Sequence, residues 1–414
     1  MKIASASALG LLTARCGKLN PDAIQPEGDI RMWPTHNYLF QWWADGLRAP
    51  DKIFNIQSNY YGLSFDFHKF RLRKFGLIEN PISEPEVLRE DNSLIENLPE
   101  VSITASLEYE GKLHAVIGAG RTFEDCQLIE SGRYFQRRWL TYPIFEQAIQ
   151  TIDERESGLE ICAWPDRVVF ILRLTSKELI TGAALQITFN LPSVYNNFQI
   201  LGDTGCFTDQ EGRGLVFLGA SSQDVLSFDQ ANGACTARLE IDSWSEGEER
   251  AVGFIIHPSL EASQVFSAIS SQEANPVRVQ AIQVQPDSHD LEVIYQREHG
   301  WYTIKLRNDG DIADYAESSN HRIERVSVSI ENPGPGQRTL RLNFAKDGRV
   351  FGITGISAIL RDLDGNPLGV PVQLSKNWHS GGTTDQSRRF EGPWFHGLVM
   401  LTVPAGEKID FEYT

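Results

Sequence analysis

Two segments of this chain hold the residue types that could recognise or cleave a sugar. Near the C-terminus it reads VPVQLSKNWHSGGTTDQSRRFEGPWFHG. A sugar ring offers an apolar face of C–H groups and a rim of hydroxyls, so a binding protein needs aromatic plates and hydrogen-bonding side chains. Trp378, Trp394 and Phe395 can serve as plates, and Gln373, Asn377, Asp385 and Glu391 can meet the rim. Lys376, Arg388 and Arg389 can meet an acidic sugar. Gly381 and Gly382 allow the loop to bend and a ligand to approach closely. The second segment, MWPTHNYLFQWWADGL, crowds Trp33, His36, Tyr38, Trp42, Trp43 and Asp45.

Glycosidic hydrolysis requires two carboxyl groups facing each other across a cleft, about 5 to 10 Å apart. Asp45, Asp66, Asp166 and Glu391 are available, although no spacing rule pairs any two. A lyase would instead use His or Tyr as base. The candidate catalytic set is therefore Glu391, His379, His396 and Asp45, and the substrate-binding set is Trp378, Trp394, Asn377, Lys376, Arg389, Trp42 and Trp43. A plainer reading is that these aromatics close the ends of β-sandwiches while the histidines cap loops.

Other patterns carry less. Asp166-Arg167, in AWPDRVVF, reads as a local contact at a hairpin tip. Asp309, Asp311 and Asp314 have a calcium-like composition but lack the spacing and bidentate Glu of an EF-hand. Gly118 and Gly120 follow a strand without the third glycine of a dinucleotide fingerprint. The 17 positions between His379 and His396 do not establish a metal site. No metal or cofactor is expected.

Length and charge narrow the class. The 414 residues exceed one ordinary core, so two or three domains are expected. A formal net charge of −17 opposes nucleic-acid and anionic-membrane partners, which need a positive surface. No apolar run is long enough to span a bilayer. The N-terminal MKIASASALGLLTARC is only faintly signal-like, because serines interrupt its apolar part. The five cysteines include no Cys-x-x-Cys pair, which favours free thiols and a reducing, cytoplasmic setting.

Strand patterns dominate from Val101 onward. Val101–Glu108 and Lys112–Ile117 flank Glu110-Gly111, a tight hairpin signal. Leu159–Ala163 and Val168–Leu174 flank Trp-Pro-Asp-Arg. Leu291–Gln296 and Trp301–Leu306 should pair across Glu-His-Gly. VSVSI and TLRLNF alternate apolar and polar residues, the period of a half-buried strand, and ENPGPGQ turns between them. LRDLDGNPLGVPV predicts a further hairpin, and KIDFEYT a final strand. Helical periodicity is confined to Phe145–Ile152 and Leu260–Ile269, with Ser259 placed to cap the second. The expected class is all-β, with two antiparallel β-sandwich domains and few short helices. Residues 1–258 form a large N-terminal sandwich with its aromatic-rich lead segment, 259–275 a helical linker, and 276–414 a smaller sandwich.

The C-terminal stretches VSVSIENPGPGQRTLRLNFAK, ITGISAILRDLDGNPLGVPVQLSKNWH and FEGPWFHGLVMLTVPAG resemble β-sandwiches of large bacterial polysaccharide-processing proteins, of the glycoside hydrolase and lyase kind. LEICAWPDRVVFILRL is similar to one strand pair of such domains. The resemblance implies association with carbohydrate and a longer parent protein, and it transfers no catalytic residue. The expected function is thus a carbohydrate-active β-sandwich protein acting on or binding a polysaccharide. The alternative is a non-catalytic carbohydrate-binding or assembly module.

Overall fold

The computed structural model describes residues 53–57, 61–66, 71–77, 101–117, 125–130, 135–141, 149–191, 195–229, 232–285, 288–305, 325–347, 358–376 and 394–414. The Asp309–Asp314 cluster, Gly118 and Gly120 lie outside them. The first sixteen strands are β1 (Ile53–Gln57), β2 (Tyr61–Asp66), β3 (Arg71–Leu77), β4 (Val101–Tyr109), β5 (Lys112–Ile117), β6 (Asp125–Glu130), β7 (Gln136–Thr141) and β8 (Gly158–Trp164), then β9 (Arg167–Thr175), β10 (Ile180–Asn190), β11 (Asn197–Leu201), β12 (Thr204–Thr208), β13 (Gly214–Gly219), β14 (Val225–Asp229), β15 (Ala234–Trp244) and β16 (Glu249–Ser259). Helix α1 (Ala262–Ala274) follows. The remaining strands are β17 (Arg278–Gln285), β18 (His289–Asp290), β19 (Glu292–Gln296), β20 (Trp301–Lys305), β21 (Arg325–Glu331), β22 (Arg338–Asp347), β23 (Leu360–Arg361), β24 (Val372–Lys376), β25 (Trp394–Val403) and β26 (Lys408–Tyr413).

The protein is all-β around one described helix, as the alternating patterns require. One eight-stranded sheet runs β1-β2-β3-β4-β10-β15-β14, with β5 on β4, and a second runs β11-β12-β13-β16-β9-β8-β7-β6. Both contribute to one core. Leu185, Ile187 and Phe189 of β10 join Leu159, Ile161 and Ala163 of β8 and Val168, Phe170 and Leu172 of β9. The Glu110-Gly111 hairpin forms as expected, with both residues at positive φ (52° and 70°), the primed-turn geometry matched to strand twist.

Two five-stranded sheets make up the C-terminal part, β18-β17-β21-β26-β23 and β19-β20-β22-β25-β24. Their core draws Val326, Val328 and Ile330 from β21, Leu340, Leu342 and Phe344 from β22, and Leu401 and Phe411 from β25 and β26. VSVSI and TLRLNF alternate as read, yet β21 and β22 lie in different sheets rather than pairing as neighbours. ENPGPGQ is therefore a crossing between sheets. Its two prolines carry no N–H for a ladder, and Asn332 organises the corner instead. Its Nδ2 donates to the carbonyls of Gly336, Val403 and Pro404 at 2.9, 3.1 and 3.0 Å, and its Oδ1 accepts from Gly334 N–H at 3.1 Å.

Several expectations need correction. The described end of the Phe145–Ile152 segment is a turn, and Ile152 bridges Ser176 as an isolated strand contact. The helix at 260–269 forms but is displaced to Ala262–Ala274, and Ser259 accepts a hydrogen bond from Glu261 N–H ahead of it rather than capping it. LRDLDGNPLGVPV turns back on itself as read, with Asp362 N–H bonded to the Asn366 carbonyl, Leu368 N–H to the Leu360 carbonyl and an antiparallel bridge between Arg361 and Pro367, but its first arm, β23, also pairs with β26. β20 and β22 are parallel, an exception to the antiparallel rule. Cys162, Cys206 and Cys235 are free and buried. Among the described residues no helix is long and apolar enough to cross a membrane.

Asn332 is fully buried, so truncating it strands several polar groups at once. Asn332→Ala should lower unfolding free energy by about 3 kcal/mol, read as an earlier urea midpoint at unchanged slope. An unchanged midpoint would show that the corner holds without it.

Candidate ligand-binding cleft

Strand parity explains how the middle of the second sheet comes to be buried on both sides. In β8, Leu159, Ile161 and Ala163 face the first core, so Glu160, Cys162 and Trp164 face the other way. In β9 the same alternation sends Val169, Ile171 and Arg173 to that outer face. There Phe135, Trp164, Val169, Ile171, Val216 and Ile255 pack with Ala262 and Phe266 of α1, Trp301 of β20 and Leu398 of β25. Phe135 lies 4.7 Å from Trp164 and 4.8 Å from Trp301, centroid to centroid, and the two indoles meet edge-on at 5.7 Å. Tyr61 Oη donates to the carbonyls of Trp164 and Arg167, which pins the β8–β9 turn from within the first part.

Glu160 is buried in this contact. Its carboxylate accepts from Arg173 Nε at 2.6 Å, from His299 Nε2 at 3.0 Å and from the Cys162 thiol at 3.3 Å, and Arg137 stands 3.8 Å away. Burial alone would raise the Glu160 carboxyl, but Arg173 and His299, then Arg137, outweigh it and hold it well below the usual range. Burial and the Glu160 charge push the Cys162 thiol well up, so it stays protonated. Donor atoms of Glu160, Cys162 and His299 lie within 4.8 Å of one another. A metal cation there would meet two guanidiniums already placed at Glu160 and a thiol held protonated. The group suits a structural ion-pair network tying β8 to the turn before β20.

Beside this contact lies a cleft of about 520 Å³. Arg167, His257, Tyr295, Tyr302, Arg338 and Arg341 line it, with Glu273, Arg297 and Glu298, over an apolar floor that includes Leu218 and Ile255. Asp166 accepts from Arg167 at 3.0 and 3.3 Å and from Arg341 at 2.6 Å. The local Asp166–Arg167 contact read from the sequence is present, and it extends to β22. Burial opposes ionisation of Asp166, but Arg167 and Arg341 overcome it and hold the carboxyl far below its ordinary value. Arg341 also lies over the Trp164 ring, 4.8 Å from the centroid. Burial, and then the charge of Arg167, hold His257 well below the usual imidazole range, so it is neutral near pH 7. No hydrogen bond to the His257 ring is present among the described residues. Tyr295 and Tyr302 sit 4.8 Å apart with planes at 40°, and Tyr295 is 53% exposed. Burial pushes the Tyr302 hydroxyl up to about 12.

Most residues expected from the sequence to form a site are not among those described. Asp45, Trp42, Trp43, Asn377, Trp378, His379, Arg389 and Glu391 fall outside the described residues. Lys376 is in β24, and Trp394 and His396 are in β25. Strand pairing sets Lys376 opposite Phe395 and His396 opposite Ser375. Trp394 pairs with Asp347 at one end of the β22–β25 ladder, whereas Arg338, in the cleft, pairs with Val403 at the other. The basic residues, which look unclustered in the sequence, converge here as Arg167, Arg338 and Arg341. Sequence reading missed them and His257 because Arg167 and His257 lie on strands that are apolar on both faces, Arg338 opens β22 on the phase of Leu340 and Leu342, and Arg341 lies on that strand's polar phase, which normally faces water. One signal was legible: TLRLNF places Arg341 and Asn343 on that phase, and both are buried.

No protein-family model matches the sequence, and no curated protein matches it. Weakly similar solved structures include carbohydrate-processing enzymes. A heparan sulfate lyase from Pedobacter heparinus is 10% identical with a TM-score of 0.32, over 69% of this chain and 40% of that one. A polysaccharide lyase is 9% identical with a TM-score of 0.32, over 86% and 45%. A 4-alpha-glucanotransferase from Thermococcus litoralis is 9% identical with a TM-score of 0.31, over 51% and 38%. This chain spans less than half the length of each. Likeness at this level decides neither a shared fold nor a shared chemistry.

The Glu160 network predicts an acid-sensitive contact. A carboxylate whose folded pKa is depressed contributes its full stability above the unfolded carboxyl pKa and loses it as pH falls toward the folded one. Glu160→Gln should cost on the order of 3–5 kcal/mol at pH 7. The gap from wild type should shrink as pH falls below the ordinary glutamate range. Urea unfolding across pH measures it, and a gap constant with pH would remove the network from the explanation.

Proposed function

We propose that this chain is a carbohydrate-active β-sandwich protein, organised as units 1–258 and 276–414 joined by 259–275, whose cleft beside α1 binds a saccharide. The observation that carries this reading is the Tyr295–Tyr302 pair at a cleft of about 520 Å³ whose other walls are guanidiniums and carboxylates. An aromatic plate beside charged hydrogen-bonding groups matches a sugar, which is apolar on its faces and hydroxylated at its rim. The cleft volume is in the ordinary range for small-ligand sites. The stretch between β24 and β25, with Trp378, His379, Arg389 and Glu391, and the aromatic segment with Trp42, Trp43 and Asp45 stand in this reading as further sugar-contacting surfaces.

One observation favours a catalytic form of this function. His257 at the cleft is held neutral and makes no hydrogen bond to protein among the described residues, so its ring nitrogen is available as a general base. The competing form is a non-catalytic binding module using the same cleft.

A panel of neutral and acidic oligosaccharides, with affinity by calorimetry and new reducing ends measured in parallel, tests both. Tyr295→Ala is a mild variant, because Tyr295 is half exposed. It should weaken binding between about twofold and tenfold without moving the thermal midpoint. Failure of every oligosaccharide to bind a folded sample would overturn the saccharide reading. New reducing ends that vanish in His257→Gln while binding persists would select the enzyme. Binding without new ends would select the module.

A further inference from the structure

The cleft is electrically divided. Arg167, Arg338 and Arg341 line one side, and among the described residues Asp166 is the one carboxylate ion-paired with them, through Arg167 and Arg341. Arg297 belongs to a second patch with Asp203, Glu273 and Glu298, where carboxylates outnumber guanidiniums. Over the whole chain acidic residues exceed basic ones, 55 to 38. A patch with three guanidiniums to one carboxylate runs against that average, and low-dielectric walls strengthen its field.

Two of these guanidiniums lack full compensation. Arg338 is 5% exposed and donates to the backbone carbonyl of Asn275, with no carboxylate partner among the described residues. Arg341 is 4% exposed, and among the described residues it shares one carboxylate with Arg167 and its Nε has no hydrogen-bond partner. Burial and the repulsion from Arg167 lower the Arg341 pKa to about 10, consistent with a cation short of negative charge. Desolvated cations without matching anions are costly. The planar guanidinium fork suits a carboxylate or sulfate group and holds it in a defined orientation.

We propose that the saccharide bound in this cleft is anionic, with its acidic group held by the Arg338–Arg341 patch and its hydroxyls turned toward Glu273 and Glu298. This rests on the reading above that the cleft binds a saccharide. Arg167 and Arg341, tied to Asp166, set the position of the patch, and Arg338 supplies the cation with no carboxylate of its own.

Galacturonic acid oligosaccharides and their uncharged methyl esters separate this inference from the reading it rests on. The acid should bind at least about tenfold more tightly than the ester at low salt. That preference should shrink as salt rises. Arg338→Gln should abolish most of it. A sulfated glucan oligomer is the third probe: binding equal to the uronate assigns the patch to either anion, and binding of the uronate alone assigns it to carboxylate. Equal affinity for acid and ester at every salt concentration would overturn the anionic assignment and leave the saccharide reading standing. Binding of no probe would overturn both. The wild-type salt series decides the matter even for an Arg338→Gln variant that does not fold.

Discussion

The structure depends on one constraint: the middle strands of the second eight-stranded sheet, β8, β9, β13 and β16, are covered on both faces. A strand facing water on one side alternates apolar and polar residues. In GLEICAW every residue is buried, and the single charge among them, Glu160, cannot leave the interior. Arg173, His299 and Arg137 surround it from β9, from the turn before β20 and from β7. Such a network is a weak source of net stability compared with apolar packing, but losing one partner is expensive. It therefore specifies which surfaces meet more than how tightly they meet.

The cleft follows from the same contact. The outer face of β9 and β16 offers Arg167 and His257, and β22 offers Arg338 and Arg341 across from them. Trp164, Phe135 and Trp301 fill the apolar part of the contact, and Arg341 rests on Trp164 at its border. Asp166 joins the two surfaces because one carboxylate serves a guanidinium from each. Charges that would be scattered on separate surfaces are thus concentrated beside two tyrosines, where the surrounding protein weakens solvent screening.

Much of the secondary structure was legible because it is local. The Glu110-Gly111 turn, the Trp-Pro-Asp-Arg hairpin, the Glu-His-Gly connection and the alternation of VSVSI, TLRLNF and KIDFEYT all express period-two burial or turn chemistry within a few residues. The Asp166–Arg167 contact was legible for the same reason. Sheet membership was not, since β21 and β22 sit next to each other in sequence yet in different sheets. Nothing in ENPGPGQ distinguishes a turn within a sheet from a crossing between sheets until Asn332 is seen to reach Val403 and Pro404, far along the chain.

By itself the sequence determined the class: an acidic all-β chain with strand-length apolar alternation and free thiols in its strands. It also drew attention to aromatic and polar stretches suited to sugars, through residue chemistry alone. The tertiary structure decided where Arg167, His257, Tyr295, Arg338 and Arg341 meet, because they come from β9, β16, β19 and β22. The physical reason is parity. Alternation records that a strand has two faces, but a polar face toward water and a polar face toward another sheet look alike in sequence. Only the packing of the second surface shows which one a ligand could reach.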